Sequence, residues 1–302
     1  MAFYLIPTSP SEHIAKLIGA KTKAVQVIVP NFNREGKRFF PDGEVYMNIA
    51  KARTLQWKRV VVLHAGAPNP NEGLAELELI LQILRDTKAR TEVFFTYFPY
   101  GMQDKVFAKG ETNVAENLIE KLVSYYGVKK VYVIDPHFGG RKWVKKYPIR
   151  SFSAVPLLIA QAKKDFGDGI LFISPDKGGK RRTKISGFQK KRLSSFRVSI
   201  TSSNAKFAGK IVAVVDDMIK TGGTLVKCAE IFKEAGARKI LALTTHGVIS
   251  TGIVKVKKAY SKLYLTNTVK RREANIDITD MIIQIIDNPI VVDSLKRLSW
   301  RV

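Results

Sequence analysis

The chain has little cysteine, no long apolar run, and only about half as many acidic as basic residues. Its single cysteine, Cys228, excludes an internal disulfide and a cysteine metal cluster. None of its apolar runs approaches the roughly 20 residues that a membrane-spanning helix needs. The first residues lack the basic head and long apolar centre of a signal peptide. We therefore expect a soluble, cytoplasmic protein that does not associate with membranes.

The charge balance is strongly basic, with 51 Lys and Arg against 26 Asp and Glu and a formal net charge of +25. The positive electrostatic field of such a chain attracts anions, including nucleic acids, nucleotides and sugar phosphates. The basic residues are spread along the chain and form no helix-turn-helix, zinc-finger or aromatic-glycine RNA motif. Nonspecific, salt-sensitive adhesion to nucleic acid is therefore compatible with the sequence as a side property. A nucleic-acid-binding module is the non-enzyme alternative.

Residues 58–97 and 210–244 repeat one layout of apolar strand, loop, apolar-periodic helix and second apolar strand. Continuous β-branched runs that alternate with helices predict parallel strands covered on both faces. We infer an α/β protein made of two copies of one domain, each a mostly parallel sheet flanked by helices. The predicted boundary gives an N-terminal domain of residues 1–148, a degenerate copy, and a C-terminal domain of residues 149–302.

The most informative stretch, residues 214–224, reads Val-Val-Asp-Asp-Met-Ile-Lys-Thr-Gly-Gly-Thr. We predict a strand that ends at Val215, then the acidic pair, a glycine loop and a helix from Leu225. Gly222 and Gly223 allow backbone amides to turn inward, and a helix N-terminus favours a bound anion. Carboxylates beside a phosphate suit sugar hydroxyls or a divalent cation. The pattern indicates a site for a phosphorylated ribose, whereas a bare Gly-Gly would be explained as well by an ordinary turn.

Four other segments carry chemically useful side chains, and each has a structural alternative. Phe-Pro-Asp-Gly-Glu at 40–44 and Gln-Asp-Lys at 103–105 suit a nucleotide, but surface turns have the same composition. After proline, His137 is better explained as a turn residue than as a magnesium ligand, and Asp176 is the better cation candidate. The basic segment 187–206 is typical of a solvated loop or of a cationic lid that closes over a polyphosphate.

In this order, and along nearly the whole chain, the segments resemble the phosphoribosyl pyrophosphate synthetase family, also called ribose-phosphate diphosphokinases. The resemblance also includes Thr-His-Gly at 245–247. It implies the type I phosphoribosyltransferase fold in both domains. It implies transfer of the diphosphoryl group of ATP to the C1 hydroxyl of ribose 5-phosphate, with Mg²⁺ as cofactor. The products would be phosphoribosyl pyrophosphate and AMP. It further implies a homo-oligomer in which neighbouring subunits share the ATP site.

The resemblance also assigns roles to residues of this chain. Lys190 and Arg192 would be catalytic, because they would bind the triphosphate and stabilise charge at the β-phosphorus. Ribose 5-phosphate would be bound by Asp216, Asp217, Lys220, Thr221, Gly222, Gly223 and Thr224. ATP would be bound by Phe40, Asp42, Glu44, Gln103, Asp104, Lys105 and His137. The metal would be held by His137 and Asp176.

The chain departs from the family pattern at three places. Met102 stands where the family usually has an arginine that contacts ATP, and a thioether offers neither charge nor donors. Residues 138–143 and the strongly basic residues 180–184 also differ from the usual pattern. Two enzyme alternatives therefore stay open: a catalytically weak or silent synthetase-like paralogue, and a phosphoribosyltransferase.

Overall fold

The structure is a computed structural model that describes residues 3–175 and 207–287. The chain divides into two compact units. The described residues of the first unit fall within Met1–Phe152, Thr268–Lys270 and Ile278–Val302, and those of the second within Ser153–Asn267 and Arg271–Asp277. Among the helices of the described ranges, none is both long and apolar enough to cross a bilayer.

The first unit contains a six-stranded parallel sheet in the order β2-β1-β3-β4-β5-β6. Its strands are β1 (Phe3–Pro7), β2 (Val25–Val27), β3 (Arg59–Ala65), β4 (Arg90–Tyr97), β5 (Lys130–Ile134) and β6 (Ile149–Phe152). Its helices include α1 (Glu12–Lys21), α2 (Pro70–Asp86) and α3 (Val114–Glu120). Helix α2 begins with proline, which suits a first helical position, and buries Leu77, Ile80, Leu81 and Leu84 at helical spacing.

The second unit contains four parallel strands in the order β10-β9-β8-β7 within the described residues. The strands are β7 (Ile170–Ile173), β8 (Ile211–Ile219), β9 (Lys239–Gly247) and β10 (Lys262–Leu265). The helices are α4 (Val155–Phe166), α5 (Gly223–Glu234) and α6 (Ser250–Ala259). One apolar cluster joins the sheet to α5 and α6, and a second joins it to α4. These layers confirm the predicted α/β class with parallel sheets flanked by helices.

The division of the chain differs from the predicted boundary after residue 148. Strand β6 pairs with β5, with Ile149 opposite Val131, and so extends the first sheet. The last described helix, α7 (Thr279–Asp287), also belongs to the first unit, where Asp280 accepts a hydrogen bond from Lys21 at 2.9 Å. Turn signals near residue 148 could not show which sheet the next short strand would join, because strand pairing is a tertiary contact.

A buried histidine lies near the carboxyl end of β3. The strand order of the sheet reverses here, because β2 lies on one side of β1 and β3 on the other. His64 is fully buried, its Nδ1 lies 2.9 Å from Thr8 Oγ1, and its ring packs edge-on against Phe95. Within residues 3–175 and 207–287, its Nε2 has no hydrogen-bond partner. Burial lowers the pKa of His64 to about 3, and the ring is therefore neutral at pH 7.

This depressed pKa predicts an acid-sensitive contribution to folding stability. Between the ordinary His64 pKa of 6.5 and the folded value of about 3, the unfolded chain binds more protons than the folded chain. Stability should therefore fall as pH drops through this window, by up to about 1.4 kcal/mol per pH unit from this residue. Urea unfolding at pH 7, 5.5 and 4.5 measures the effect. In His64→Asn the free energy of unfolding should fall less steeply with acidification than in the wild type.

The reference is the wild type, measured over the same pH range. If His64→Asn and wild type lost stability in parallel on acidification, His64 would not be buried as a neutral ring.

Candidate functional site

The strand, loop and helix predicted to bind a sugar phosphate are all present in the second unit, with different bounds. Strand β8 ends at Ile219 instead of the predicted Val215, and α5 begins at Gly223 instead of Leu225. Pairing with β9 continues through Ile219, which lies opposite Gly247. This ladder outweighs the weak strand propensity of the two aspartates. The acidic pair therefore lies in the strand, and the loop is shorter than predicted.

The N-terminus of α5 has the geometry of an anion-binding site. Gly222 precedes it with φ +77°, a left-handed conformation that favours glycine. The first bond into the helix runs from the Val226 N–H to the Gly222 carbonyl at 3.0 Å. The amides of residues 223–225 precede that bond, so they point out of the helix end along its dipole. Gly223 and Thr224 are exposed, and a phosphate could reach these amides.

The two aspartates of β8 differ in exposure. Asp217 is 3% exposed, whereas Asp216 is partly exposed, and the Asp217 N–H donates to Asp216 Oδ1 at 3.0 Å. Successive side chains of a strand point to opposite faces. Burial, together with the charges of Cys228 and Asp216, raises the pKa of Tyr260, whose hydroxyl donates to the Leu225 carbonyl at 2.7 Å. Asp216 therefore lies on the face of β8 that is covered by the first turns of α5.

Residues 220–222, between β8 and α5, form the loop that we call the phosphate loop. Helix α6 supports this loop by direct backbone contact. A Cβ added to Gly252 would lie 1.8 Å from the Lys220 carbonyl oxygen, and one added to Gly222 would lie 2.8 Å from the Gly252 carbonyl oxygen. Only residues without a side chain permit this approach. Gly252 could not be identified from the sequence, because an isolated glycine near a helix start does not show which backbone will contact it.

In the first unit, residues 40–44 form a tight turn, as their composition predicts. The Phe40 N–H donates to the Glu44 carbonyl at 2.8 Å, and the Glu44 N–H donates to Asp42 Oδ1 at 3.1 Å. Phe40 is 40% exposed, and Asp42 and Glu44 are also exposed. Residues 45–49 form no strand, and one bridge joins Phe39 to Val45.

Gln103, Asp104 and Lys105 lie in the loop after β4, and His137 lies in the loop after β5, at the same edge of the first sheet. Gln103 and Lys105 are exposed and His137 is partly exposed, but Asp104 is 2% exposed. Arg141 donates to both Asp104 carboxylate oxygens, from Nε and Nη2, at 2.8 Å each. Asp104 is thus already paired with Arg141, a residue that no sequence motif indicates as part of the site.

The proposed catalytic residues, Lys190 and Arg192, and the proposed metal ligand Asp176 lie outside the described residues. Within residues 3–175 and 207–287, no three His, Cys, Asp or Glu side chains are grouped closely enough to hold a metal ion. Mg²⁺ requires less than such a group, because it is usually bound by one or two carboxylates, water and substrate phosphates. Of the two proposed metal ligands, His137 lies within the described residues, where it is partly exposed in the loop after β5.

Two family models and two relatives match this chain, and together the matches cover most of its length. The model for the N-terminal domain of ribose phosphate pyrophosphokinase matches residues 11–127, and that for the phosphoribosyl synthetase-associated domain matches residues 198–299. The ribose-phosphate pyrophosphokinase of Pyrococcus furiosus is 33% identical over 270 residues, which cover 85% of this chain and 93% of the relative. That of Pyrococcus abyssi is 32% identical over 259 residues, which cover 82% and 88%.

A solved structure has the same fold. The phosphoribosylpyrophosphate synthetase from Mycobacterium smegmatis superposes with a TM-score of 0.79, over 96% of this chain and 99% of that chain. The sequence identity is 19%, and this likeness therefore supports the architecture alone.

Proposed function

Because the chain belongs to the ribose-phosphate pyrophosphokinase family, we propose that it transfers the diphosphoryl group of ATP to the C1 hydroxyl of ribose 5-phosphate. The observation that carries this proposal is the loop at the N-terminus of α5, where outward-pointing amides lie beside a partly exposed carboxylate. Lys220, Thr221, Gly222, Gly223 and Thr224 wrap the 5-phosphate. Asp216 and Asp217 accept hydrogen bonds from the ribose hydroxyls.

The reaction is a displacement at the β-phosphorus of ATP. The C1 oxygen of the sugar forms a bond to that phosphorus, and the bond from phosphorus to the oxygen bridging the α- and β-phosphates breaks. AMP leaves with the bridging oxygen, and the hydroxyl proton passes to solvent. Lys190 and Arg192 stabilise the negative charge that develops on the transferring group, and catalysis is mainly positioning and electrostatics.

Magnesium, when bound, supplies positive charge against the triphosphate. We assign His137 and Asp176 as its ligands, as the resemblance implies. Gln103, Asp104, Lys105 and His137 bind ATP, and Phe40, Asp42 and Glu44 bind the adenine of a neighbouring subunit. The exposure of Phe40 supports this role, because an exposed ring is free to stack on a base. The arrangement requires a homo-oligomer.

The test is release of AMP from ATP by the purified protein. We expect AMP only when Mg²⁺ and ribose 5-phosphate are both present, with one phosphoribosyl pyrophosphate formed per AMP. Ligand binding without AMP release would favour a silent paralogue, and pyrophosphate release that depends on a nucleobase would favour a phosphoribosyltransferase. Tight, sequence-selective duplex binding at high salt would favour a nucleic-acid-binding module.

A further inference from the structure

Two loops at the carboxyl edge of the first sheet are fixed against each other. One follows β4 and the other follows β5, and these strands are paired neighbours. Phe138 is fully buried, and its ring centroid lies 4.8 Å from that of Phe98 and 5.0 Å from that of Trp143. The Trp143 Nε1–H donates to the Asp104 carbonyl at 3.1 Å. Polar groups on these loops are therefore held in a defined arrangement.

Arg141 is oriented by a buried carboxylate. Its Nε and Nη2 each donate to one oxygen of Asp104 at 2.8 Å, which is the bidentate geometry that orients a guanidinium most strongly. The Asp104 side chain is 2% exposed, whereas that of Arg141 is 37% exposed. One edge of the guanidinium is thus bound to protein and the opposite edge faces outward.

The outward edge keeps unused donors. A guanidinium carries five N–H donors, and Asp104 engages two of them. No other partner of the Arg141 side chain is found in the part of the chain that the structure describes. The Nη1 group and the second Nη2 hydrogen are therefore available to phosphate oxygens, for which a planar fork is well suited. Met102, which is 43% exposed on the same loop as Asp104, offers no such donor.

From this geometry we propose that Arg141 binds the phosphates of the nucleotide and that Asp104 acts as its positioning residue. The inference depends on the proposed function, because it places the nucleotide at this edge beside Gln103, Lys105 and His137. It changes the role of Asp104, which orients a cation instead of contacting ATP itself. Arg141 supplies at this edge the guanidinium that position 102 lacks.

The experiment measures MgATP binding by calorimetry without ribose 5-phosphate, so that turnover is not needed. We expect Arg141→Gln to weaken ATP binding by about tenfold or more and to leave ribose 5-phosphate binding unchanged. Arg141→Lys, which keeps the charge but loses the fork, should give an intermediate loss. The matched control is Arg272→Gln, which removes an exposed arginine paired with Glu273 at 2.8 Å in the second unit. It should bind ATP as the wild type does.

A double variant separates nucleotide binding from a purely structural role. Arg141→Gln leaves the buried Asp104 carboxylate unpaired and should lower the Tm. Adding Asp104→Asn removes that charge and should restore the Tm, while ATP binding stays at least about tenfold weaker. Recovery of both properties in the double variant would overturn the proposal, as would wild-type affinity in Arg141→Gln or a wild type that binds no ATP. Wild-type protein that binds ATP but releases no AMP would contradict the proposed function alone.

Discussion

Gly252→Ala is expected to weaken ribose 5-phosphate binding by about a hundredfold, because the new methyl group would displace the phosphate loop. The added Cβ would lie 1.8 Å from the Lys220 carbonyl oxygen, which is far inside van der Waals contact. The position of the added Cβ is fixed by the backbone and the atom that it meets is a backbone oxygen, so no side-chain rotation relieves the clash. Helix α6 is fixed by buried Ile253 and Val256, and the loop should therefore be the part that moves. Overpacking of this kind also destabilises proteins by about 1–3 kcal/mol.

Calorimetric titration with ribose 5-phosphate and a Tm measurement check this prediction. The matched control is Gly169→Ala in the same unit, where an added Cβ meets no atom within 4 Å. It should bind the sugar phosphate as the wild type does. ATP binding should be unchanged in both variants, since neither glycine is among the residues assigned to the nucleotide. A folded Gly252→Ala protein with wild-type affinity for ribose 5-phosphate would show that α6 does not hold the loop in place.

Lys190→Ala and Arg192→Ala should each lower kcat by about 10² to 10⁴-fold and leave ribose 5-phosphate affinity unchanged. Both cations are assigned to charge that develops as the β-phosphoryl group is transferred, and an interaction made only in the transition state affects kcat most. Both residues lie outside the described ranges, and the prediction therefore depends on their chemistry and on the family resemblance.

Initial rates of AMP release at saturating substrates measure kcat, and calorimetry measures sugar-phosphate affinity. Lys258→Ala provides the control, because it removes an exposed cation from α6 and lowers the net charge by the same amount. Equal losses in all three variants would indicate a general effect of charge. Near-wild-type rates in Lys190→Ala and Arg192→Ala would remove this segment from the mechanism.

Sequence periodicity was sufficient for the fold class but not for the ends of its elements. Continuous runs such as Val60–Leu63 predicted buried parallel strands, and these residues are fully buried in β3. The end of β8 was placed too early, because Asp216 and Asp217 interrupt the apolar run while their backbone continues to pair with β9. Backbone atoms can pair whatever the polarity of the side chains. Predictions from composition therefore make such strands too short.

The candidate site shows the same division between local and tertiary signals. Gly222 was identified from the sequence because the turn into α5 is a local backbone requirement, and its φ is +77°. Gly252 and Arg141 were not identified, since their proposed roles depend on contacts with Lys220 and Asp104 in distant segments. Short motifs therefore indicate a candidate ligand site, whereas the residues that contact the motif from distant segments become visible only in three dimensions.

The central claim is that the N-terminus of α5 holds the phosphate of ribose 5-phosphate, and a crystal structure of the protein with this compound tests it most directly. The account predicts phosphate density within hydrogen-bonding distance of the amides of residues 223–225, with the ribose hydroxyls turned toward the carboxylate of Asp216. Density for the sugar phosphate at another place, with these amides in contact only with solvent, would contradict it.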